Sequence, residues 1–317
     1  MIFAILVAVL LGVVLTASYW AYRVAFYVPR NHQEDIYHLP SGAQNSKHQE
    51  KMRSCIKKLN DLPYESVTIT SQDGKTLFGR YYHTRDGAPV QIQFHGYRGS
   101  AMRDFCGGTP LAQHLGHNAL VVDQRCHGRS QGHTITFGVR ERYDCQSWAN
   151  YAYQRFGPKT PLILSGVSMG AATVLMASNL KLPETVCGVV ADCPYSSPRD
   201  IILKVAGEMG LPKKPAGWFC LLGARLYGRF SVKDASAVES VKGTHLPVLL
   251  LHGEDDQFVP CHMSREIYAA CGSDKELVTF PNAGHGMSYL EDPQRYEAAV
   301  SGFLEHCIAH AFGGCGK

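Results

Sequence analysis

The chain has 317 residues, with 31 Lys and Arg against 27 Asp and Glu, for a formal net charge of +4. A hydrophobic share of 45% with only 18% charged residues excludes an intrinsically disordered chain. So weak a charge, with no basic run of five or more, argues against a nucleic-acid partner. The eleven cysteines are irregularly spaced and never form C-x-x-C, so zinc-ribbon and thioredoxin-type motifs are unsupported. A chain this long can bury its own core without a disulfide framework, and its thiols read as reduced, in a cytosol-like compartment.

The first element is apolar. Met1 to Tyr22, MIFAILVAVLLGVVLTASYWAY, carries no charged side chain. At ~1.5 Å per residue this stretch is long enough to cross a ~30 Å hydrocarbon core. Tyr19, Trp20, Tyr22 and Arg23 then supply an aromatic and cationic interfacial belt. A cleaved signal peptide is the competing reading, but the cationic n-region is absent and Thr16-Ala17-Ser18 is a poor cleavage site. The expectation is a single-pass transmembrane anchor over 1–28. Arg23, Arg30 and Lys47 follow the span, which places the body on the cytoplasmic face, the alternative being a secreted or extracytoplasmic protein. Pro29 to Glu50 is polar and reads as a tether, with a short helix completing a linker over 29–63.

From residue 64 to 317, short β-branched runs alternate with helical patterns. SVTIT (66–70) and TLFGRYYH (76–83) flank Ser71-Gln72-Asp73-Gly74 and predict an antiparallel hairpin. VQIQF (90–94), NALVVD (118–123), PLILSG (161–166), CGVVAD (187–192), LPVLLLHG (246–253) and ELVTF (276–280) are further strands. Helical patterns fall near 100–115, 137–156, 169–180, 260–271 and 292–311. Continuous apolar strands separated by helices imply a mostly parallel sheet covered on both faces. Ligands of such sheets bind at the carboxyl ends of the strands.

Three strand ends carry chemistry. Gly166-Val167-Ser168-Met169-Gly170 follows an apolar strand and opens a helix, the context a nucleophile elbow requires. Gly166 and Gly170 permit the tight turn, and Ser168 stands at a helix N-terminus that favours developing negative charge. A serine nucleophile needs a base and an orienting acid, in the order Ser, Asp or Glu, His. His285, between two glycines in Asn282-Ala283-Gly284-His285-Gly286 after the last strand, meets the requirement for the base. Asp256 in the Glu254-Asp255-Asp256 turn is the first candidate for the acid, with Asp255 and Asp192 as alternatives.

On GVSMG (166–170), HGEDDQFVP (252–260), AGHG (283–286), FHGYRGS (94–100) and DQRCHGRSQG (123–132), the chain resembles the α/β-hydrolase superfamily over about residues 64–312. The subgroup resembled holds monoacylglycerol lipases, acyl and cinnamoyl esterases and serine aminopeptidase-like hydrolases. The resemblance implies the α/β-hydrolase fold and puts the acid on Asp256. It also implies an oxyanion hole from the backbone amides of Met169 and Tyr97. Cys126 stands where many members carry glycine. The long connection between Pro194 and Leu246 falls where that family inserts a cap, expected at about 196–240. Its apolar middle offers Trp218, Phe219 and Leu222 as substrate-pocket residues, or alternatively as packing for the cap.

No P-loop, G-x-G-x-x-G or H-E-x-x-H is present, and no cofactor is expected. His306, Cys307, His310 and Cys315 make a weak metal candidate, and no metal is expected either. The implied activity is hydrolysis of a small-molecule carboxylic ester through Ser168, His285 and Asp256. The alternatives are a serine peptidase or amidase and a non-catalytic membrane-tethered binding module. The sequence leaves oligomeric state open.

Overall fold

The computed structural model of the chain describes residues 1–29, 35–37, 39, 46–210 and 212–313. Much of the stretch read as a tether, with Arg30, and the ligand candidate Cys315 lie outside the described residues. An eight-stranded sheet organises the domain, in the order β1-β2-β4-β3-β5-β6-β7-β8. Helix α1 spans Ile2–Ala25 and α2 spans Gln49–Asn60. The hairpin β1 (Glu65–Thr70) and β2 (Thr76–Tyr82) is antiparallel as expected, with Thr70 paired to Thr76 across a turn in which Gly74 takes φ +78°. β2 then joins β4 antiparallel, and every later pairing is parallel. The mostly parallel α/β-hydrolase sheet expected from the sequence is the sheet observed.

β3 (Val90–Phe94) leads to two short helices, α3 (Ala101–Asp104) and α4 (Gly108–His114), where one helical stretch was expected. The break falls at Phe105-Cys106-Gly107. A β-carbon on Gly107 would come within 2.5 Å of the Tyr289 ring, so packing demands glycine where the helix would run on. β4 (Asn118–Asp123) precedes α5 (Glu141–Phe156), which starts four residues later than its pattern. Phe137 and Gly138 lie at positive φ, and Glu141 accepts hydrogen bonds from the Thr136 and Gly138 amides. β5 (Leu162–Val167) runs into α6 (Met169–Ala177), and β6 (Val186–Asp192) follows. The long connection after β6 folds as α7 (Pro198–Glu208), α8 (Lys213–Leu226) and α9 (Ala237–Val241). β7 (Val248–Gly253), α10 (His262–Ala270), β8 (Lys275–Phe280), α11 (Ser288–Glu291) and α12 (Pro293–Phe312) complete the chain.

β3, β4, β6 and β7 are buried along their whole length, which is why β4, β6 and β7 read as near-continuous apolar runs, while β3 alternates its apolar residues with the buried Gln91 and Gln93. Trp148, Val174, Val241 and Ile267 of α5, α6, α9 and α10 cover one face. Ala112 of α4, with Leu111 beside it, and Phe303 of α12 cover the other. Within the segment read as a linker, Met52, Ile56 and Leu59 of α2 pack with Tyr82 and Met102. That helix is therefore part of the core.

A further apolar cluster lies over the carboxyl ends of the strands. It joins Phe137, Met169 and Tyr195 to Ile201 and Ile202 of α7, Ala224 of α8, and Tyr22 and Phe26 at the end of α1. Phe26 is fully buried, with its ring edge-on to Phe137 and Phe230. Burial of one such side chain contributes about 1.5–3 kcal/mol. The apolar N-terminal helix is therefore free only along its first half. Its last three turns dock on the domain.

Candidate active site

β5 ends at Val167 and α6 begins at Met169, so Ser168 alone makes the turn, at φ +55° and ψ −114°. For a non-glycine residue that backbone is strained, and the strain persists because its neighbours leave no other path. A β-carbon on Gly170 would lie 1.8 Å from the Phe94 carbonyl oxygen, and one on Gly166 2.3 Å from the Gly170 carbonyl. No side chain fits at either position, so the elbow's two glycines are steric requirements. Ser168 is left 6% exposed, at the end of the sheet and at the start of α6.

Two neighbouring strand ends bring Asp256 and His285 to it. His285 Nε2 lies 2.9 Å from Ser168 Oγ, and His285 Nδ1 lies 2.7 Å from Asp256 Oδ2. The other carboxylate oxygen of Asp256 accepts from the Phe258 and Val259 amides, at 2.9 and 2.8 Å. Burial pushes the Asp256 carboxyl up, but the positive character of His285 and hydrogen bonds from His252 and His285 bring it well below the usual carboxylate range. The Asp256 side chain is buried, so it can hold the imidazole in one orientation without solvent competing.

The two alternative acids are placed elsewhere. Asp255 is exposed on the turn, and its amide donates to the Ala283 carbonyl. Asp192, at the end of β6, accepts from the Tyr296 hydroxyl at 3.1 Å. Its Oδ1 is buried without a hydrogen-bond partner among the described residues. Burial raises its carboxyl to about 6, against the opposing pull of His252 and Tyr296.

The loop after β3 closes over the serine. A β-carbon on Gly96 would lie 3.2 Å from that of Ser168, so the loop backbone passes directly beside it. Among the described residues the Tyr97 amide has no hydrogen-bond partner. The Met169 amide is in the first turn of α6, where no intrahelical acceptor exists. The loop is held from beneath by two buried histidines. His95 Nε2 accepts from the Gln124 amide, and His127 Nε2 accepts from the Arg98 amide, both at 3.0 Å. Each ring's Nδ1 donates to a backbone carbonyl, of Gly96 and Arg125 respectively. Burial lowers the first to about 4 and, with repulsion from His95, the second to about 3, so both are neutral acceptors.

DQRCHGRSQG (123–132) thereby gains a structural meaning. Asp123 binds Arg80, Arg125 forms a two-pronged pair with Asp144 at 2.6 Å, and His127 supports the Arg98 amide. Cys126 stands at φ +69°, the left-handed region that favours glycine. His127 and His252 went unassigned in the sequence, although both lie inside the quoted motifs. His252 Nε2 lies 2.8 Å from the Val259 carbonyl oxygen and 3.3 Å from Asp256 Oδ2.

Ser168 lies where two cavities meet. One, of about 600 Å³, is apolar and walled by Ile202 and Val205 of α7, Ala216 and Phe219 of α8, and Ala21 and Val24 of α1. The other, of about 450 Å³, is polar, with Arg98, Arg103, Asp104, Asp192, His285 and Tyr289 in its lining. Of the three pocket residues expected on α8, only Phe219 faces the apolar cavity. Ala216, Phe219 and Cys220 share one face of that helix at three- and four-residue spacing, which turns Trp218 and Leu222 away. Trp218 is 50% exposed and Leu222 partly buried. Of the weak metal candidates, His306 and His310 have their rings 6.3 Å apart, and the only cluster of possible ligands among the described residues is Cys193, Asp256 and His285, at the serine itself.

Residues 94–299 match the profile of the alpha/beta hydrolase family. YqkD of Bacillus subtilis, an uncharacterized protein, is 26% identical over 193 residues, 61% of this chain and 63% of that one. The match thus spans just under two thirds of that relative's length. An esterase of Pyrococcus furiosus superposes with a TM-score of 0.65 at 23% identity, covering 80% of this chain and 94% of that one. Est1E of Butyrivibrio proteoclasticus, solved with ferulic acid bound, gives a TM-score of 0.60 at 20% identity, covering 77% and 99%. At such identities the two structures share the fold with this chain.

Proposed function

The chain belongs to the alpha/beta hydrolase family, and we propose that it is a serine hydrolase that cleaves carboxylic esters of apolar acyl groups. The observation that carries this reading is the relay from Asp256 through His285 to Ser168, standing between an apolar and a polar cavity. Ser168 Oγ attacks the acyl carbonyl carbon as His285 Nε2 takes its proton. Asp256 accepts from Nδ1–H and stabilises the imidazolium. The Tyr97 and Met169 amides receive the oxyanion, a role in which one donor is worth ~3–4 kcal/mol of barrier. The tetrahedral intermediate collapses, and His285 passes the proton to the departing alkoxide, which leaves as the alcohol. Water, deprotonated by His285, then attacks the acyl-serine and releases the carboxylic acid.

The division of the site supports an acyl group in the apolar cavity and the alcohol portion in the polar one. The connection carrying α7 and α8 acts as the cap, and the name of one structural neighbour, an esterase, favours esters over amides. The apolar α1 is a membrane anchor in this reading, with the domain on the cytoplasmic side. Turnover of p-nitrophenyl butyrate by the wild type, and its loss in Ser168→Ala, is the first test. Undiminished turnover by Ser168→Ala would rule the mechanism out.

A further inference from the structure

The apolar cavity has a wall that the catalytic domain does not supply. Ala17, Trp20, Ala21, Val24 and Ala25 line it, all from the last three turns of α1. This wall is built in place. Gly223 of α8 meets α1 so closely that a β-carbon there would lie 2.3 Å from the Ser18 carbonyl oxygen, the close approach that small residues give packed apolar helices. The Tyr227 hydroxyl donates to the Leu15 carbonyl at 3.0 Å. At the end of α1, carbonyls without intrahelical partners take donors from the loop beside Ser168. The Tyr97 hydroxyl donates to Ala25 O and the Arg98 guanidinium to Val24 O, each at 2.8 Å.

The docking leaves little helix to cross a membrane. From Ile2 to Val14 about 13 residues stand clear of the domain, which at ~1.5 Å each reach ~20 Å, short of a ~30 Å hydrocarbon core. If α1 enters a bilayer, the docked turns must enter with it. The surface around them is suited to that. Trp20, Val24, Met209, Trp218, Leu226 and Phe258 are all large apolar side chains at 42–62% exposure, and four of them also line the cavity. An acyl chain can thus pass from the bilayer to Ser168 along predominantly apolar surface.

We infer that the substrate is an acyl ester of a membrane lipid, drawn in from the bilayer with its chain against α1. The inference rests on the serine-hydrolase reading above, so its test uses probes that also report on Ser168 alone. Alkyl fluorophosphonates serve: Ser168 Oγ bonds to phosphorus, the P–F bond breaks, fluoride leaves, and no alcohol specificity enters. Full-length protein in phosphatidylcholine vesicles is treated with an ethyl and with a hexadecyl probe. The hexadecyl probe is offered either in the same vesicles or in separate ones.

The hexadecyl probe is expected to label at least tenfold faster from the shared bilayer than from separate vesicles. Ala21→Trp is expected to lower the hexadecyl-to-ethyl rate ratio at least tenfold, with Ala21→Leu as the milder second variant. Leu6→Ala, on the free half of α1, keeps the wild-type ratio. Equal labelling from shared and separate vesicles, with an unchanged ratio in both Ala21 variants, overturns the lipid inference and leaves the serine hydrolase standing. Failure of both probes on folded wild-type protein overturns the hydrolase reading itself.

Discussion

The floor and the wall of the site are made in different ways. The floor is three loops at the ends of β5, β7 and β8, whose turns are shaped mainly by neighbours close in sequence, although His285 is oriented by Asp256 and Gly170 is required by the Phe94 carbonyl. Ser168 is fixed by glycines two residues away on either side, and Asp256 by the amides two and three residues on. The wall joins α1 to α7 and α8, segments about 200 residues apart, through hydrogen bonds and helix contacts that no local pattern specifies. The turns of the floor are built largely from local contacts, while the apolar wall is assembled from distant parts.

The largest expected effect lies on the floor. Ser168→Ala and His285→Ala should each lower kcat by ~10⁴-fold or more, measured on p-nitrophenyl butyrate. A comparison of the two carboxylates sharpens this. Asp256→Asn should cost ~10³–10⁴-fold in kcat, because the amide would hold His285 in the wrong tautomer. Asp192→Asn should leave the Asp256–His285 contact intact and instead change stability. The folded chain holds Asp192 at about 6, above the ordinary value of ~3.9, so the native state retains a proton that the unfolded chain releases. Native stability is therefore lost as pH rises through that window, and Asp192→Asn should gain about 1–3 kcal/mol at pH 7, vanishing below about pH 4. Urea unfolding of the two proteins at pH 7 and pH 3.5 checks the sign.

Smaller effects are expected in the supports. His127→Ala removes the acceptor of the Arg98 amide, at a cost of ~1–3 kcal/mol in the barrier or in stability. Its kcat should fall more than its KM rises if the loop presents the Tyr97 amide to the oxyanion. Smallest of all, Tyr227→Phe removes one hydrogen bond between wall and α1, worth ~0.5–1.5 kcal/mol. It should alter the chain-length preference of the enzyme before it alters turnover of a butyrate ester.

The same difference explains what the sequence made legible. The parallel sheet was readable because β4, β6 and β7 are near-continuous apolar runs with polar residues only towards their ends. Ser168 and His285 stood out in the sequence because glycines mark both turns. Asp256 needed the motif around it, since three acidic residues stand together there. The break between α3 and α4 was hidden, because it depends on the Tyr289 ring from a distant helix. Trp218 and Leu222 were chosen for apolar character alone, and only the rotation of α8 separates them from Phe219. The docking of α1 had one signal, the alanines at 17, 21 and 25 with four-residue spacing. In a helix read as a membrane span, such a row does not say which helix it meets.

The central claim is that Ser168 is the nucleophile, activated by His285. Intact-mass analysis of the full-length protein after treatment with an ethyl fluorophosphonate tests it most directly. The account predicts a single adduct, mapped to Ser168, absent in Ser168→Ala and formed far more slowly in His285→Ala. An adduct on another residue, or equal labelling of the His285→Ala protein, would contradict it.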